Sequence, residues 1–199
     1  MDITAALELD EICQKINGNP DIYIIVVAGT GKFFCGSYDA NSILNVGIEI
    51  KTPAEAISSL NRPVIAALKG DALDEGFELA LACDIRIAAN TIKLGLPCIG
   101  AVKMPSDGAT QRLPRIAGKG KALEMILTGE IIDAAEAYQY GILNRIFAPE
   151  QFDAELDKLV ENLSAKAPFA LQYAKEAVNT GPDLTLEQGL KLEADPVSY

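Results

Sequence analysis

The amino-acid sequence predicts an α/β domain with parallel strands. Uninterrupted apolar, β-branched runs at residues 22–28 and 63–68 are typical of strands buried on both faces of a sheet. Stretches with helical spacing of apolar residues lie between such runs, and this alternation favours a parallel sheet. The chain has 199 residues, of which 49% are hydrophobic, so it can bury a core of its own.

The predicted elements follow in chain order. Apolar residues at helical spacing predict a helix over residues 3–16, which Gly18 and Pro20 end. Thr52 and Glu55 form a capping box that begins the next helix. The remaining elements are strands at 63–68, 85–88 and 142–147, a helix capped by Asp133 and Glu136 and ended by Gly141, and helices at 75–83, 149–166, 168–179 and 184–194.

The character of the chain changes after Pro149. We expect an α/β core over residues 1–148 and a helical C-terminal region over residues 149–199. That region has no predicted strand, so it must pack on the core or on a partner subunit.

The charge and the missing residue types exclude several functions. The chain carries 17 Lys and Arg against 28 Asp and Glu, and the net charge of −11 opposes binding to nucleic acid. It has no histidine, so it cannot by itself form a Ser-His-Asp triad, a Cys-His dyad or a histidine metal site. We therefore expect no nucleic-acid partner and no bound metal.

The first residues and the cysteines indicate the compartment. No apolar run is long enough to span a bilayer, and the start of the chain lacks the pattern of a signal peptide. Cys13, Cys35, Cys83 and Cys98 form no C-x-x-C pair and are expected to be free thiols. The sequence thus predicts a cytoplasmic protein without a membrane partner.

Residues 29–39 form a glycine-rich segment directly after a predicted strand. Glycines there allow backbone N–H groups to approach a ligand closely. A tight turn between a strand and a helix explains the same glycines, so both interpretations stay open. Phe34 occupies the third glycine position of a G-x-G-x-x-G motif, and a dinucleotide site is therefore not predicted.

Residues 69–78 place four acids after the second predicted strand. Asp74 and Glu75 lie at a helix N-terminus, where the helix dipole favours negative charge. Glu78 lies in an otherwise apolar helical stretch, which predicts a raised pKa and suits proton transfer near neutral pH. The spacing of these acids fits no metal-binding loop.

A third segment spans residues 94–115. Asp107 is either the cap of the helix that follows or a catalytic acid or base. A basic run follows it, which could bind an anionic ligand or simply face solvent. The run consists of Arg112, Arg115, Lys119 and Lys121.

Together these segments resemble the crotonase superfamily, the enoyl-CoA hydratase/isomerase family. The motifs that carry the resemblance are Arg62-Pro-Val-Ile-Ala-Ala, Glu78-Leu-Ala-Leu-Ala-Cys-Asp84, Thr110-Gln-Arg-Leu-Pro-Arg115 and Leu127-Thr-Gly-Glu130. The resemblance implies a ββα spiral core with a helical C-terminal region, and a homotrimer or dimer of trimers. It also implies a coenzyme A thioester as substrate with no separate cofactor, and a chain that is short at both ends relative to the family.

The family holds the thioester oxygen in an oxyanion hole made of two backbone N–H groups. The resemblance implies that Tyr38 and Glu75 supply these groups in this chain. The positions around them are implied to bind substrate. They are Gly36, Ser37, Asp39, Ala40 and Gly76.

Family hydratases use two glutamates, of which one falls on Glu78 and would activate water. The other falls on Cys98, so a thiol replaces a carboxylate and either Cys98 or Asp107 is expected to handle the α-carbon proton. A carboxylate at Glu75 would repel an enolate by up to about 4 kcal/mol at 4 Å and an effective dielectric constant of 20. We therefore expect the side chains of Asp74 and Glu75 to point away or to be neutralised.

Three hypotheses follow from these residues. The first is an acyl-CoA lyase of the enoyl-CoA hydratase type, which adds water to an enoyl- or dienoyl-CoA with Glu78 as the base. The second is another reaction on a CoA thioester, such as isomerisation, ring hydrolysis or carbon–carbon cleavage, with Asp107 as the main carboxylate. The third is a CoA-binding protein without turnover.

Overall fold

The computed structural model describes residues 3–36, 38 and 51–194. The helices are α1 (Ile3–Asn17), α2 (Pro53–Ser58), α3 (Glu75–Ala82), α4 (Ala109–Thr128), α5 (Ala134–Gln139), α6 (Pro149–Ser164), α7 (Pro168–Thr180) and α8 (Leu186–Ala194). The strands are β1 (Ile25–Ala28), β2 (Val64–Leu68), β3 (Ala72–Leu73), β4 (Ile85–Ala89), β5 (Lys93–Gly95), β6 (Ile131–Asp133) and β7 (Arg145–Phe147). Short 3-10 turns cover Pro97–Ala101 and Gly181–Asp183.

The main sheet is parallel and has the order β1-β2-β4-β7. All five residues of β2 are buried, as predicted, because β2 has a neighbour on each side. The prediction that the first strand is buried on both faces is wrong. β1 is an edge strand whose residues alternate in exposure, and Val26 is 39% exposed.

A second, smaller sheet joins β3, β5 and β6, and it was not predicted. β3 pairs with β5 in parallel, but β5 pairs with β6 antiparallel, so the described strands are not all parallel. These strands have only two or three residues each, too few to show a pattern. The small sheet nevertheless fixes the start of α3, because the Asp74 N–H donates to the Gly95 carbonyl at 2.9 Å.

All strands in the described residues precede the last three helices. Helix α6 packs on the core through Phe152 and Leu159, which are buried. Helix α7 is linked to the core by Lys175, which contacts the Asp84 carboxylate at 2.7 Å and donates to the Arg62 carbonyl at 2.9 Å. None of the described helices is both long enough and apolar enough to cross a membrane.

Candidate active site

Two turns lie side by side at the carboxyl ends of β1 and β2. The Phe34 N–H donates to the Asp71 carbonyl at 2.9 Å, and the Asp71 N–H donates to the Lys32 carbonyl at 3.3 Å. A Cβ at Gly70 would lie 2.3 Å from the Lys32 carbonyl oxygen, so this approach requires glycine. The glycine that brings the two turns together, Gly70, thus lies outside the glycine-rich segment 29–39.

The positions predicted to form the oxyanion hole follow these turns. Glu75 is the first residue of α3, so its N–H has no acceptor within the helix. Tyr38 is buried, and neither its N–H nor that of Glu75 donates to another described residue. Gly76 is packed so closely that a Cβ there would lie 2.9 Å from the Cys35 carbonyl oxygen.

The predicted substrate-binding residues are covered only in part. Gly36 is exposed beside this site, whereas Ser37, Asp39 and Ala40 lie outside the described residues. Their roles therefore stay predictions.

Glu78 is a buried carboxylate that accepts hydrogen bonds from backbone N–H groups. It lies on α3 with 1% of its surface exposed, and its Oε1 accepts from the N–H groups of Asp107 at 2.8 Å and Ala109 at 2.9 Å. Burial raises the pKa of Glu78 above its ordinary value, although the backbone N–H groups of Ala109, Asp107 and Ser106 partly oppose this shift. The apolar helix around Glu78 predicted the direction of this shift.

Asp107 does not cap the helix that follows it. Gly108, with φ of 103°, is the N-cap residue of α4, and it has no side chain with which to cap the helix. The Asp107 carboxylate turns instead to the start of α2, where its Oδ2 accepts from the Ala54 N–H at 3.1 Å and its Oδ1 accepts from the Thr52 hydroxyl. The capping interpretation is therefore wrong about which helix Asp107 caps.

The Asp107 carboxylate also links this helix to the predicted oxyanion hole. Its Oδ2 accepts from the Tyr38 hydroxyl at 2.7 Å, and burial together with the Asp107 charge raises the pKa of Tyr38. Three donors therefore bind one buried carboxylate. Thr52 was predicted as a helix cap, and only its contact with Asp107 shows that it also belongs to the site.

Cys98, which the family resemblance places at the second glutamate, is a thiol whose proton is held at neutral pH. Burial and the neighbouring Asp74 raise its pKa to about 12, and the charges of Glu78 and Glu75 are close enough to add to the shift. Its N–H donates to the Asp74 Oδ1 at 2.8 Å. At neutral pH this group therefore offers a proton rather than accepting one.

Both acids at the start of α3 have partners among the described residues. The Asp74 carboxylate accepts from the Cys98 N–H, as described above. The Glu75 carboxylate, 3% exposed, forms an ion pair with Lys103. The structure thus provides the neutralisation that the sequence required, but through a lysine that no sequence pattern singled out.

The basic run on α4 does not form one surface. Gly118 has φ of 79° and ψ of 157°, which interrupts the helix and turns the residues after it in a new direction. Lys121 is buried, pairs with Glu124 at 2.7 Å and Glu136 at 2.6 Å, and is neither a solvated residue nor part of a ligand patch. The Arg112 guanidinium donates to the Asp107 carbonyl at 2.8 Å and so contacts the backbone of a site residue.

All four cysteines are free thiols. Among the residues that the structure describes, no group of three or more histidine, cysteine and acidic side chains is placed to hold a metal ion.

The parallel sheet, the paired turns and the buried glutamate define a protein with the crotonase fold. The family model for enoyl-CoA hydratase/isomerase matches residues 2–199, and the chain belongs to this enzyme family. An enoyl-CoA hydratase from Bacillus anthracis has a TM-score of 0.88 and 33% identity over 98% of this chain and 80% of its own.

Curated relatives give the same family. The Bacillus subtilis protein YngF, whose name assigns it to enoyl-CoA hydratase/isomerase, is 40% identical over 93% of this chain and 75% of its own length. A crotonyl-CoA hydratase of Syntrophomonas wolfei is 33% identical over 95% of this chain and 76% of its own. An (E)-benzylidenesuccinyl-CoA hydratase of Thauera aromatica is 32% identical over 96% and 77%. The chain therefore spans about three quarters of these relatives' length.

Proposed function

We propose that this protein adds water across the double bond of an enoyl-CoA thioester and gives a 3-hydroxyacyl-CoA. One observation carries the proposal: Glu78 is a buried carboxylate whose Oε1 is fixed by the backbone N–H groups of Asp107 and Ala109. Such a group has a fixed direction and a raised affinity for a proton, as a general base requires. Relatives named as hydratases of crotonyl-CoA and of (E)-benzylidenesuccinyl-CoA support the reaction class.

The first step is the attack of water on the β-carbon. Glu78 takes a proton from water as the oxygen forms its bond to C3, and the electrons of the double bond move to the thioester oxygen to give an enolate. The backbone N–H groups of Tyr38 and Glu75 bind that oxygen. Each such donor is worth roughly 2.7–4 kcal/mol in comparable sites.

The second step is the transfer of a proton to the α-carbon. We assign this proton to the Cys98 thiol, because its pKa of about 12 keeps the proton in place at neutral pH. The thiolate that forms recovers a proton from the Glu78 carboxyl through water, and both residues return to their starting states. The net change is one water added to the substrate.

Asp107 fits a positioning role in this scheme better than a role in proton transfer. Its Oδ2 already accepts from Tyr38 and Ala54 and its Oδ1 from Thr52, so donors from the fold already bind both carboxylate oxygens. Its contact with Tyr38 holds the residue whose N–H group belongs to the oxyanion hole. Reactions that need Asp107 as the main acid or base are therefore less well supported than hydration.

A substrate panel with two variants tests the proposal. The wild-type protein is incubated with straight-chain, branched and aryl-substituted enoyl-CoA thioesters, and products are identified by the mass gain of one water. Glu78→Gln is expected to lose about 10²–10⁴-fold in turnover, whereas Asp107→Asn loses less.

The opposite ranking would support the isomerase, ring-hydrolase or lyase alternative. The absence of product from any thioester, together with calorimetric binding of CoA, would support a binding protein without turnover. We further propose that the protein acts as a homotrimer or dimer of trimers, as the family resemblance implies.

A further inference from the structure

The Glu75 side chain sets an electrostatic problem at the oxyanion hole. Its backbone N–H is one of the two proposed donors, and its carboxylate belongs to the same residue, 3% exposed. An uncompensated negative charge in such a place repels the enolate, and the repulsion becomes stronger as water is excluded. Something must therefore offset that charge in the folded protein.

Lys103 is placed to do so. Its ammonium forms an ion pair with the Glu75 Oε1, and its own N–H donates to the Cys98 carbonyl at 3.1 Å. The preceding residue, Val102, is 98% exposed and has φ of 60°, a conformation that a β-branched residue rarely adopts. The chain thus keeps an unfavourable turn at the point where it directs Lys103 towards Glu75.

A second contact joins the same two segments. The Asp74 carboxylate accepts from the Cys98 N–H at 2.8 Å, so both acids of the α3 turn bind the segment 97–103. This segment also carries the thiol that we assign to the α-carbon proton. The contacts therefore couple the charge, the oxyanion donor and the proton donor in one unit.

We propose that Lys103 is a positioning residue that neutralises Glu75, so that the oxyanion hole can accept the enolate of a CoA thioester. The proposal rests on the proposed function in one respect, namely that the Glu75 N–H belongs to the hole. Lys103 contacts Glu75 and not the reacting atoms. A unit charge about 8 Å from an enolate oxygen, at an effective dielectric constant of 20, changes the binding constant of the enolate by roughly 30-fold.

The test uses three variants and one control. Lys103→Met uncovers the Glu75 charge, Glu75→Gln removes it and keeps the backbone N–H, and the double variant removes both charges. Lys166→Met, an exposed lysine between α6 and α7, is the matched control for the loss of one positive charge. Melting temperatures establish that each variant folds.

Two readouts separate this proposal from the proposed function. The first is the turnover of the best enoyl-CoA substrate of the wild type. The second is the apparent pKa of a bound 3-ketoacyl-CoA, acetoacetyl-CoA, followed through the ultraviolet absorbance of its enolate. The second readout measures the stabilisation of an enolate and needs no hydration.

We expect Lys103→Met to raise the apparent pKa of the bound ketoacyl-CoA and to weaken enolate binding by about 30-fold. The double variant returns to within about threefold of the wild type, and Glu75→Gln binds the enolate more tightly than Lys103→Met does. A double variant as impaired as Lys103→Met, or a Lys103→Met protein equal to Lys166→Met, would overturn the proposal.

If the Glu78→Gln protein turns over substrate normally, the hydration mechanism is wrong. The enolate readout still decides the role of Lys103 in that case.

Discussion

At the scale of single residues, the proposed function depends on the contacts that the fold gives to a few carboxylates. Glu78 was predicted from an apolar helix in its own neighbourhood, and the local pattern sufficed. Its two N–H donors, Asp107 and Ala109, lie about 30 positions further along the chain and were not predictable from that pattern. Lys103 gave no signal at all, because an ion pair with Glu75 depends on a tertiary contact.

Glu78 should affect stability in a direction that depends on pH. Its folded pKa is raised, so the native state binds the proton more tightly than the unfolded chain does. The associated stability is present at low pH and is lost as the pH rises through the folded pKa. We expect Glu78→Gln to melt at the wild-type temperature near pH 4 and at a higher temperature near pH 8.

Thermal melts at a series of pH values measure this effect. Glu161→Gln, an exposed carboxylate on α6, provides the control and should follow the wild type throughout. A Glu78→Gln protein that is less stable than the wild type at high pH would show that the ionised carboxylate is favoured in the fold.

Thr52 should contribute more to stability than an ordinary helix cap. Its hydroxyl donates to Asp107 and accepts from the Glu55 N–H, so Thr52→Val removes a cap and a donor to a buried carboxylate. We expect a loss of about 1–3 kcal/mol in the free energy of unfolding, measured by urea denaturation. Ser58→Ala, an exposed hydroxyl on the same helix, should cost well under that amount. Equal losses for the two variants would contradict the assigned network.

At the scale of elements, the length of each helix or strand determined whether the sequence could predict it. A long apolar run gave β2, and capping residues gave the start of α2 and of α5, all of which the structure confirms; the strand predicted at 85–88 is β4. The short strands β3, β5 and β6 form only because neighbouring segments hold them together, and this is a tertiary effect. The kink in α4 lies at Gly118, whose φ of 79° is in the left-handed region that glycine adopts without strain.

The paired turns provide a test of how elements position the site. A Cβ at Gly70 would meet the Lys32 carbonyl at 2.3 Å, whereas a Cβ at Gly31 would meet nothing within 4 Å. We expect Gly70→Ala to force the turns apart and to lower both the melting temperature and turnover, while Gly31→Ala leaves both nearly unchanged. Stability assays and steady-state kinetics measure the pair. Turnover of the Gly70→Ala protein at the wild-type rate would show that the turns do not set the site.

At the scale of the whole molecule, helices α7 and α8 present exposed apolar side chains. A cleft of about 720 Å³ lies between α7 and α8, and Leu186 and Val178 beside it are 80% and 73% exposed. No residue of α7 or α8 is buried. Apolar surface of this kind is typical of subunit contacts.

We therefore expect the protein to assemble in solution. Light scattering after size exclusion should give three or six times the mass of the chain, and Leu186→Glu should shift the distribution towards the monomer because it places a charge in an apolar contact. A monomer at high protein concentration would contradict the proposed trimer.

The chain has no histidine, and the proposed site needs none, because a carboxylate at Glu78, a thiol and backbone N–H groups can move protons without an imidazole. The acidic chain, with a net charge of −11, pairs one of its acids at the proposed site, Glu75, with Lys103.

The most direct test of this account is the rate of the chemical step with Glu78 changed to Gln. Single-turnover hydration of the best enoyl-CoA is followed in a quench-flow instrument, and calorimetry gives the dissociation constant of the same CoA thioester. We expect the hydration rate of the Glu78→Gln protein to lie about 10²–10⁴-fold below that of the wild type, and its dissociation constant to lie within about threefold of the wild-type value. A Glu78→Gln protein that hydrates the bound substrate at the wild-type rate would contradict the assignment of Glu78 as the base.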